Sequence, residues 1–438
     1  MDNVALATTV LLVGIALLLM LGVPVAVSMA VPSAIAIAIL LGTQGAALTS
    51  AQRLFAANNS FALLAIPSFI LAGGLMNTGG IATRLIDLAL VISGRLPASL
   101  AQTTVVANAM FGAVSGASVA SAAAVGTVLS PRMKKEGYDP SWAAAVNAVA
   151  SPAGMLIPPS NTFIVYSLVS GTSIAALFMA GVGPGLLWAL ICVVVVALYA
   201  RKHPELRSTG RPTARQALTV LLKAIPALFM IVVVIGGILA GFFTATESAV
   251  IAVFYALILG LLQRTLSVKD LPKILLEATK TTSIVMLLVG VSGILAWVLS
   301  FARIPEAVAE SLLGLTDNVV IVLIIIMIVL LLAGTVMDPT PAILIFTPIF
   351  LPAVTAMGVN PIHFGAMMVF NMCLGNISPP IGNNLFVAAR VAGVRIEPLM
   401  RKVMPFFWAL CIGLLIVTFL PALSTWLPTQ MGLMAPGP

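Results

Sequence analysis

Two proline pairs lie inside runs that are otherwise apolar: GMLIPPSNT, Gly154 to Thr162, and GNISPPIGNN, Gly375 to Asn384. Proline carries no backbone N–H, so each pair leaves carbonyls of the preceding turn without a donor. Gly154 lets the backbone unwind at that point. In an apolar medium the freed oxygens need a partner, and a dehydrated hard cation such as sodium suits carbonyls and the hydroxyls of Ser160 and Thr162. A helix restarting at Ser160 points its positive end at the break, which suits an anion. One such pair alone would describe a packed proline kink equally well. Its recurrence favours a site.

Other residues invite chemistry less directly. Ser115, Gly116 and Ser118 fall in a small-residue run, GAVSGASVAS, Gly112 to Ser121, which also suits close helix packing. Gly334, Thr335 and Asp338 are the polar or flexible residues ahead of Pro339 in a second apolar run. Asp338 has two readings, a functional membrane carboxylate and the N-cap of a helix starting at Pro339. Glu247, in GFFTATESAV, reads as a helix cap. Arg390 has the chemistry to meet a substrate carboxylate, and reads better as an anchor that snorkels to the interface. An intramembrane hydrolase needs a Ser–His or Ser–Lys pair or two aspartates. Asp338 is alone, and His203 and His363 lie peripherally without evident partners, so that chemistry is not expected. Cys192, Cys373 and Cys411 form no CxxC or Cys/His cluster, which excludes zinc sites and disulfide scaffolds.

The elements that must position these residues are membrane spans. Of 438 residues 61% are hydrophobic and 8% charged, too few charges to cover a globular surface. Runs such as Ala5 to Val23 and Val319 to Gly334 are long enough to cross a bilayer. The fold class is an all-α polytopic membrane protein, which excludes soluble enzymes, nucleic-acid modules and disordered chains. The first run lacks a basic leader and a cleavage site, so a retained span is expected. The net charge of +8 clusters at Arg84 and Arg95, Arg132 to Lys135, Arg201 to Lys223, Arg264 to Lys280 and Arg390 to Lys402. With these taken as cytoplasmic, the N-terminus is periplasmic. Spans near 5–22, 24–41 and 61–77 follow, with Gly42 to Ser60 as a polar connection. Two segments then begin and end on the same face, Leu96 to Met133 and Val319 to Thr355, and each reads as a re-entrant hairpin. The halves also match at an offset of 221: Gly137 to Pro140 with Gly358 to Pro361, Gly154 with Gly375, Pro158-Pro159 with Pro379-Pro380. Prolines and glycines mark backbone geometry, so one architecture is used twice, and opposite hairpin entry makes the repeats inverted. The expected organisation is 1–60 N-terminal scaffold spans; 61–200 first repeat (hairpin about 96–134, broken helix about 140–170); and 201–223 basic cytoplasmic linker. It continues as 224–281 scaffold spans and interfacial arm, 282–425 second repeat (hairpin about 319–355, broken helix about 361–391), and 426–438 tail. Arg84 to Leu90 and Leu271 to Lys280 read as short interfacial arms.

Five segments carry a resemblance to a known family: SGASVASAAAVGTVLSPRMKKEGY, ASPAGMLIPPSNTFIVY, GFFTATESAVIAVFYAL, AGTVMDPTPAILIFTPIFLP and ISPPIGNNLFVAARVAG. The chain resembles, from about residue 10 to 425, the large membrane (M) subunit of tripartite ATP-independent periplasmic (TRAP) transporters of the ion-transporter superfamily. The resemblance implies a fixed scaffold and an elevator-type transport domain built from both hairpins and both broken helices. It implies two or more coupling sodium ions and no organic cofactor. The first sodium site would use Ser115 and Ser118 with Gly154, Ile157 and Pro159; the second Gly334, Thr335 and Met337 with Gly375 and Ser378. Substrate would sit between the tips near Ser160, Asn161, Asn383 and Asn384, with Arg390 as a further candidate. Where the family has TPTEAA this chain has TATESA, Thr244 to Ala249. Implied partners are a small four-helix membrane subunit on a separate chain and a periplasmic substrate-binding protein.

The expected function is therefore not enzymatic. It is sodium-coupled uptake, in a bacterial inner membrane, of an organic anion such as a C4-dicarboxylate, sugar acid or sialic acid. The alternative is a stand-alone sodium/dicarboxylate symporter of the same superfamily. A passive channel would have no reason for two opposed hairpins.

Overall fold

The computed structural model describes residues 3–203, 206, 213–316, 318–379 and 382–434. Among these the chain is helical with no strand, and ten helices are long and apolar enough to cross a membrane. It is an all-α polytopic membrane protein. The N-terminal helices are α1 (Asn3–Met20), α2 (Val25–Asn58), α3 (Ala65–Thr78) and α4 (Ile81–Ser93). The segment expected as the first hairpin consists of α5 (Ser99–Ser115) and α6 (Ser118–Lys135). Next come α7 (Pro140–Ala150), α8 (Ala153–Leu156), α9 (Asn161–Ser170) and the long α10 (Ile174–Lys202). The second half runs through α11 (Ala214–Leu239), α12 (Ala245–Leu262), α13 (Leu271–Phe301) and α14 (Ile304–Leu315). The segment expected as the second hairpin is α15 (Val319–Val336) and α16 (Pro339–Ala356), followed by α17 (Pro361–Gly375), α18 (Asn383–Ala392), α19 (Ile396–Phe419) and α20 (Ala422–Gln430).

Two helices form the centre. Trp142 to Ala150 of α7 and His363 to Gly375 of α17 are buried without exception, as expected for helices apolar on every side. At the periphery α1 buries only Ala7 and Leu11. One arm of each hairpin meets α8, directly after α7, or α17 itself through a glycine pair. A Cβ on Gly112 would fall 2.1 Å from the Cα of Gly154, and one on Gly375 would fall 2.6 Å from the Cα of Gly334. Without water, helices associate through packing, which small residues bring closest.

Several expectations need correction. Gly42 to Ser60 is not a loop: α2 kinks at Gly42 (φ 77, ψ 172) and runs on to Asn58. The run after the kink is rich in helix formers, and it lies on α13, where a Cβ on Gly293 would meet the Arg53 carbonyl at 2.9 Å. Leu271 to Lys280 is not a separate arm but the first turns of the 31-residue α13, begun by Pro272 and interrupted by nothing. Arg84 to Leu90 does lie within its own short helix, α4. The linker is narrower than 201–223, since α10 reaches Lys202 and α11 starts at Ala214; residues 204–205 and 207–212 lie outside the described set. Leu206 is buried, and its carbonyl accepts from the Ala98 N–H at 3.1 Å. The tail from 426 begins inside α20; its residues 435–438 are not described. His363 is not partnerless: Nδ1 lies 2.8 Å from Ser424 Oγ and Nε2 3.1 Å from the Thr418 carbonyl. Glu247 completes a capping box, with Thr244 N–H donating to its carboxylate at 2.7 Å.

The glycine crossings give a direct test. Gly154→Val drives a branched side chain into the Gly112 backbone, an overpacking that costs about 1–3 kcal/mol. The purified protein is expected to melt at a clearly lower temperature, and an unchanged Tm would contradict the close approach.

Candidate substrate and ion site

Four interruptions of helix converge on one region. At the first hairpin tip Gly116 is left-handed (φ 62), its N–H bonds the Gly112 carbonyl at 2.8 Å, and Ala117 is extended. The second hairpin breaks at Met337 (φ −130, ψ 155) and Asp338 (φ −63, ψ 154). The first broken helix opens at Ile157 and restarts at Asn161 behind the extended Ser160. The second turns at Asn376–Ile377 and restarts at Asn383; Pro380 and Ile381 lie outside the described residues, so half of the second proline pair does as well. Pro158-Pro159 is cis.

Gly116 makes the closest meeting of tip and break: a Cβ there would sit 3.0 Å from the Pro159 carbonyl and 3.3 Å from the Asn161 nitrogen. Of the residues expected at the first ion site, Ser115 and Pro159 therefore lie near one another. Ser115 Oγ is 3.4 Å from the Ala117 carbonyl. Gly154 backs onto Gly112 instead, and Ile157 packs its side chain on Gly185. Ser118 turns to the other half of the chain, accepting from Asn376 Nδ2 at 3.2 Å. In the second set Gly334 and Gly375 are in contact. The Thr335 hydroxyl bonds the Leu332 carbonyl at 2.7 Å, and that of Ser378 bonds the Leu374 carbonyl at 3.1 Å, each within its own turn. Met337 is buried, its N–H on the Ala333 carbonyl at 3.1 Å.

The residues expected around substrate separate into different surroundings. Ser160 is buried; its hydroxyl bonds the Met155 carbonyl and lies 2.7 Å from that of Thr162, which donates to the same carbonyl at 3.0 Å. Asn161 faces a cavity of about 930 Å³, and its Oδ1 is buried without a partner. Asn384 is buried away from that cavity, donating to Ser151 Oγ at 2.9 Å. Asn383 donates to Asp338 Oδ1 at 2.8 Å. Asp338 occupies the N-cap position of α16, but its side chain caps nothing there. Arg390 is exposed in the last turn of α18 and does not line the cavity.

The cavity lies between the two hairpin tips (Ser115–Ala120 and Asp338–Pro341), Asn161 and Thr162, and a wall from α2, α3 and α13. Its wall includes residues that sequence reasoning passed over: Asn376, Asn77 and Thr78, and the charged Asp270, Lys273 and Glu277 of the α13 end. Asn376 stood inside the quoted GNISPP motif. Nothing in the local sequence marks the α13 charges, because their aim depends on where α13 packs. No group of His, Cys, Asp and Glu among the described residues is placed to hold a metal.

Irregular backbone gathered around a cavity that carries amide, hydroxyl and charged groups in an otherwise apolar helical chain is the pattern of a membrane transport protein. The fold agrees with a solved structure, the Alcanivorax borkumensis YdaH transporter, described as having an unusual topology, at TM-score 0.60 and 15% identity over 91% of this chain and 90% of that one. The chain belongs to the family described as "Tripartite ATP-independent periplasmic transporter, DctM component", which matches residues 12–423. It is 46% identical to the uncharacterized protein YgiK of Salmonella typhimurium, over 89% of this chain and 90% of that protein. It is 39% identical to the C4-dicarboxylate TRAP transporter large permease protein DctM of Pseudomonas aeruginosa, over 90% and 92%. Such proteins are permeases and not enzymes, and the family implies a periplasmic binding protein and a small membrane subunit.

Gly116 supplies the test of this geometry. Gly116→Ala places a Cβ against the Pro159 carbonyl in a left-handed conformation that costs about 1 kcal/mol. The variant should remain folded in detergent while transport falls; uptake equal to wild type would show that the tip does not need this approach.

Proposed function

We propose that this chain is the permease of a secondary transporter that uses a sodium gradient to drive uptake of an organic anion, delivered by a periplasmic binding protein. The observation that carries the reading is the contact of the Gly116 tip with the Pro159–Asn161 break at the cavity. It gathers carbonyls, hydroxyls and a helix N-terminus at the edge of the cavity, the combination that suits a dehydrated cation beside an anion. The first ion site is assigned around Ser115 and Pro159 with Ser118 nearby, and the second around the Gly334–Gly375 crossing with Thr335, Met337 and Ser378. Gly154 and Ile157 support the first from behind. Substrate is assigned to the cavity face of Asn161, with Ser160, Asn383 and Asn384 holding the surrounding breaks. A relative named for C4-dicarboxylates supports a carboxylate as the transported group.

Hairpins and broken helices pack on one another and meet α3 and α13, which supports elevator-like motion of that body between inverted repeats. With the Lys/Arg-rich connections taken as cytoplasmic, the N-terminus is periplasmic and the membrane is the bacterial inner membrane. The cavity wall then includes the cytoplasmic ends of α2 and α13 together with the length of α3, which supports an inward-facing conformation.

Proteoliposomes containing the permease with its small subunit, supplied with binding protein and solute, test the coupling. Uptake is expected under an inward sodium gradient and is expected to collapse when sodium is equal on both sides. Uptake indifferent to sodium would refute it.

A further inference from the structure

Four charged side chains line the cavity: Asp270, Lys273, Glu277 and Asp338. The three acids are engaged. Asp270 Oδ2 accepts from the Ser267 N–H at 2.9 Å, Glu277 pairs with Lys280 at 3.4 Å, and Asp338 Oδ1 accepts from Asn383 at 2.8 Å. Lys273 makes no ion pair or hydrogen bond among the described residues. It sits three residues after Asp270 and four before Glu277 on the same α13 face, so it is the one cation that the cavity wall presents, and its neighbours are acidic.

The rest of the polar wall is neutral. Asn77 and Thr78 stand on the α3 side, and Thr162, Thr340 and Asn376 stand opposite. Hydroxyls and amides both donate and accept, so they match the hydroxyls of a solute better than a second carboxylate. Asn161 adds a buried, unpartnered acceptor, Oδ1, which calls for a donor on the ligand. A second carboxylate would face Asp270, Asp338 or the Lys280-paired Glu277, with no further cation lining the cavity, a like-charge encounter that selects against dianions.

The geometry points to Lys273 as the residue that receives the substrate carboxylate on the static wall, and to a substrate with one carboxylate and several hydroxyls. This rests on the transporter reading above and adds to it both a residue outside the hairpins and a charge state for the cargo. Lys273 is a specificity-determining residue: it offers a point charge on a flexible stem to an anion that must also be let go.

Binding to the purified permease–small-subunit complex in sodium buffer tests it, with D-gluconate, succinate and D-sorbitol as probes and ligand-induced shift of Tm as readout. D-gluconate is expected to stabilise the wild type, while sorbitol, lacking the charge, and succinate, carrying two, are not. Lys273→Gln is expected to weaken gluconate about tenfold or more, the loss of one charge-assisted hydrogen bond, and Lys273→Arg to retain most of the affinity. The sodium titration midpoint and the unliganded Tm should be unchanged in both variants. Succinate binding as well as gluconate, no response to gluconate, or undiminished gluconate affinity in Lys273→Gln would each overturn the assignment. Sodium-driven uptake surviving alongside any of those results would leave the transporter reading standing, which separates the two failures.

Discussion

Backbone that leaves the helix inside a membrane must be enclosed by protein or by a watery cavity, because hydrocarbon offers nothing to an orphaned amide or carbonyl. The rest of this structure follows from that constraint. The four interruptions at Gly116, Ile157–Ser160, Met337–Asp338 and Asn376–Ile377 cannot lie apart at the lipid surface, so they are drawn to one another. The buried helices α7 and α17 lead into two of them, and the hairpins bring the other two from outside. The glycine crossings at Gly112–Gly154 and Gly334–Gly375 set how deep each hairpin rides. Side chains there would hold the tips away from the breaks and leave polar backbone uncovered.

Amides do the remaining fastening. Asn376 joins Ser118, Asn384 joins Ser151 and Asn383 joins Asp338, so two of the three contacts bind one half of the chain to the other. Tyr166 adds a fourth tie, its hydroxyl on the Pro361 carbonyl at 2.7 Å. Where hydrophobic burial no longer distinguishes helix from lipid, such bonds and close packing decide which helices stay together. These bonds join the breaks to one another, while the cavity lies where the tips meet α2, α3 and α13.

The breaks were legible in the amino-acid sequence because proline and glycine leave a mark wherever the backbone departs from a helix. The run around Gly116 marked the first tip and the residues ahead of Pro339 the second; Gly154, read as the point of unwinding, instead lies inside α8 against Gly112, and the break opens at Ile157. Side-chain partners were less legible, since they depend on packing between distant segments. Asn376 meets Ser118 across 258 residues and His363 meets Ser424 across 61. Ser160, a plausible ligand by type, spends its hydroxyl on the Met155 carbonyl. Lys273 looked like one more interfacial charge until α13 proved continuous and its first turns faced the cavity. The helix beyond Gly42 was missed because polar residues at a membrane boundary resemble a loop, although their propensities favour a helix.

The buried Leu206 has a mechanical consequence. Its carbonyl is held by Ala98, directly at the foot of the first hairpin, so the tether between the two halves of the chain effectively starts there and not at the end of α10. Only seven peptide steps separate Leu206 from Thr213, the cap of α11, and a fully stretched chain of that length spans about 24 Å. While the Ala98 bond holds, the foot of that hairpin is on a leash of fixed length to α11, an upper bound on how far the two can lie apart.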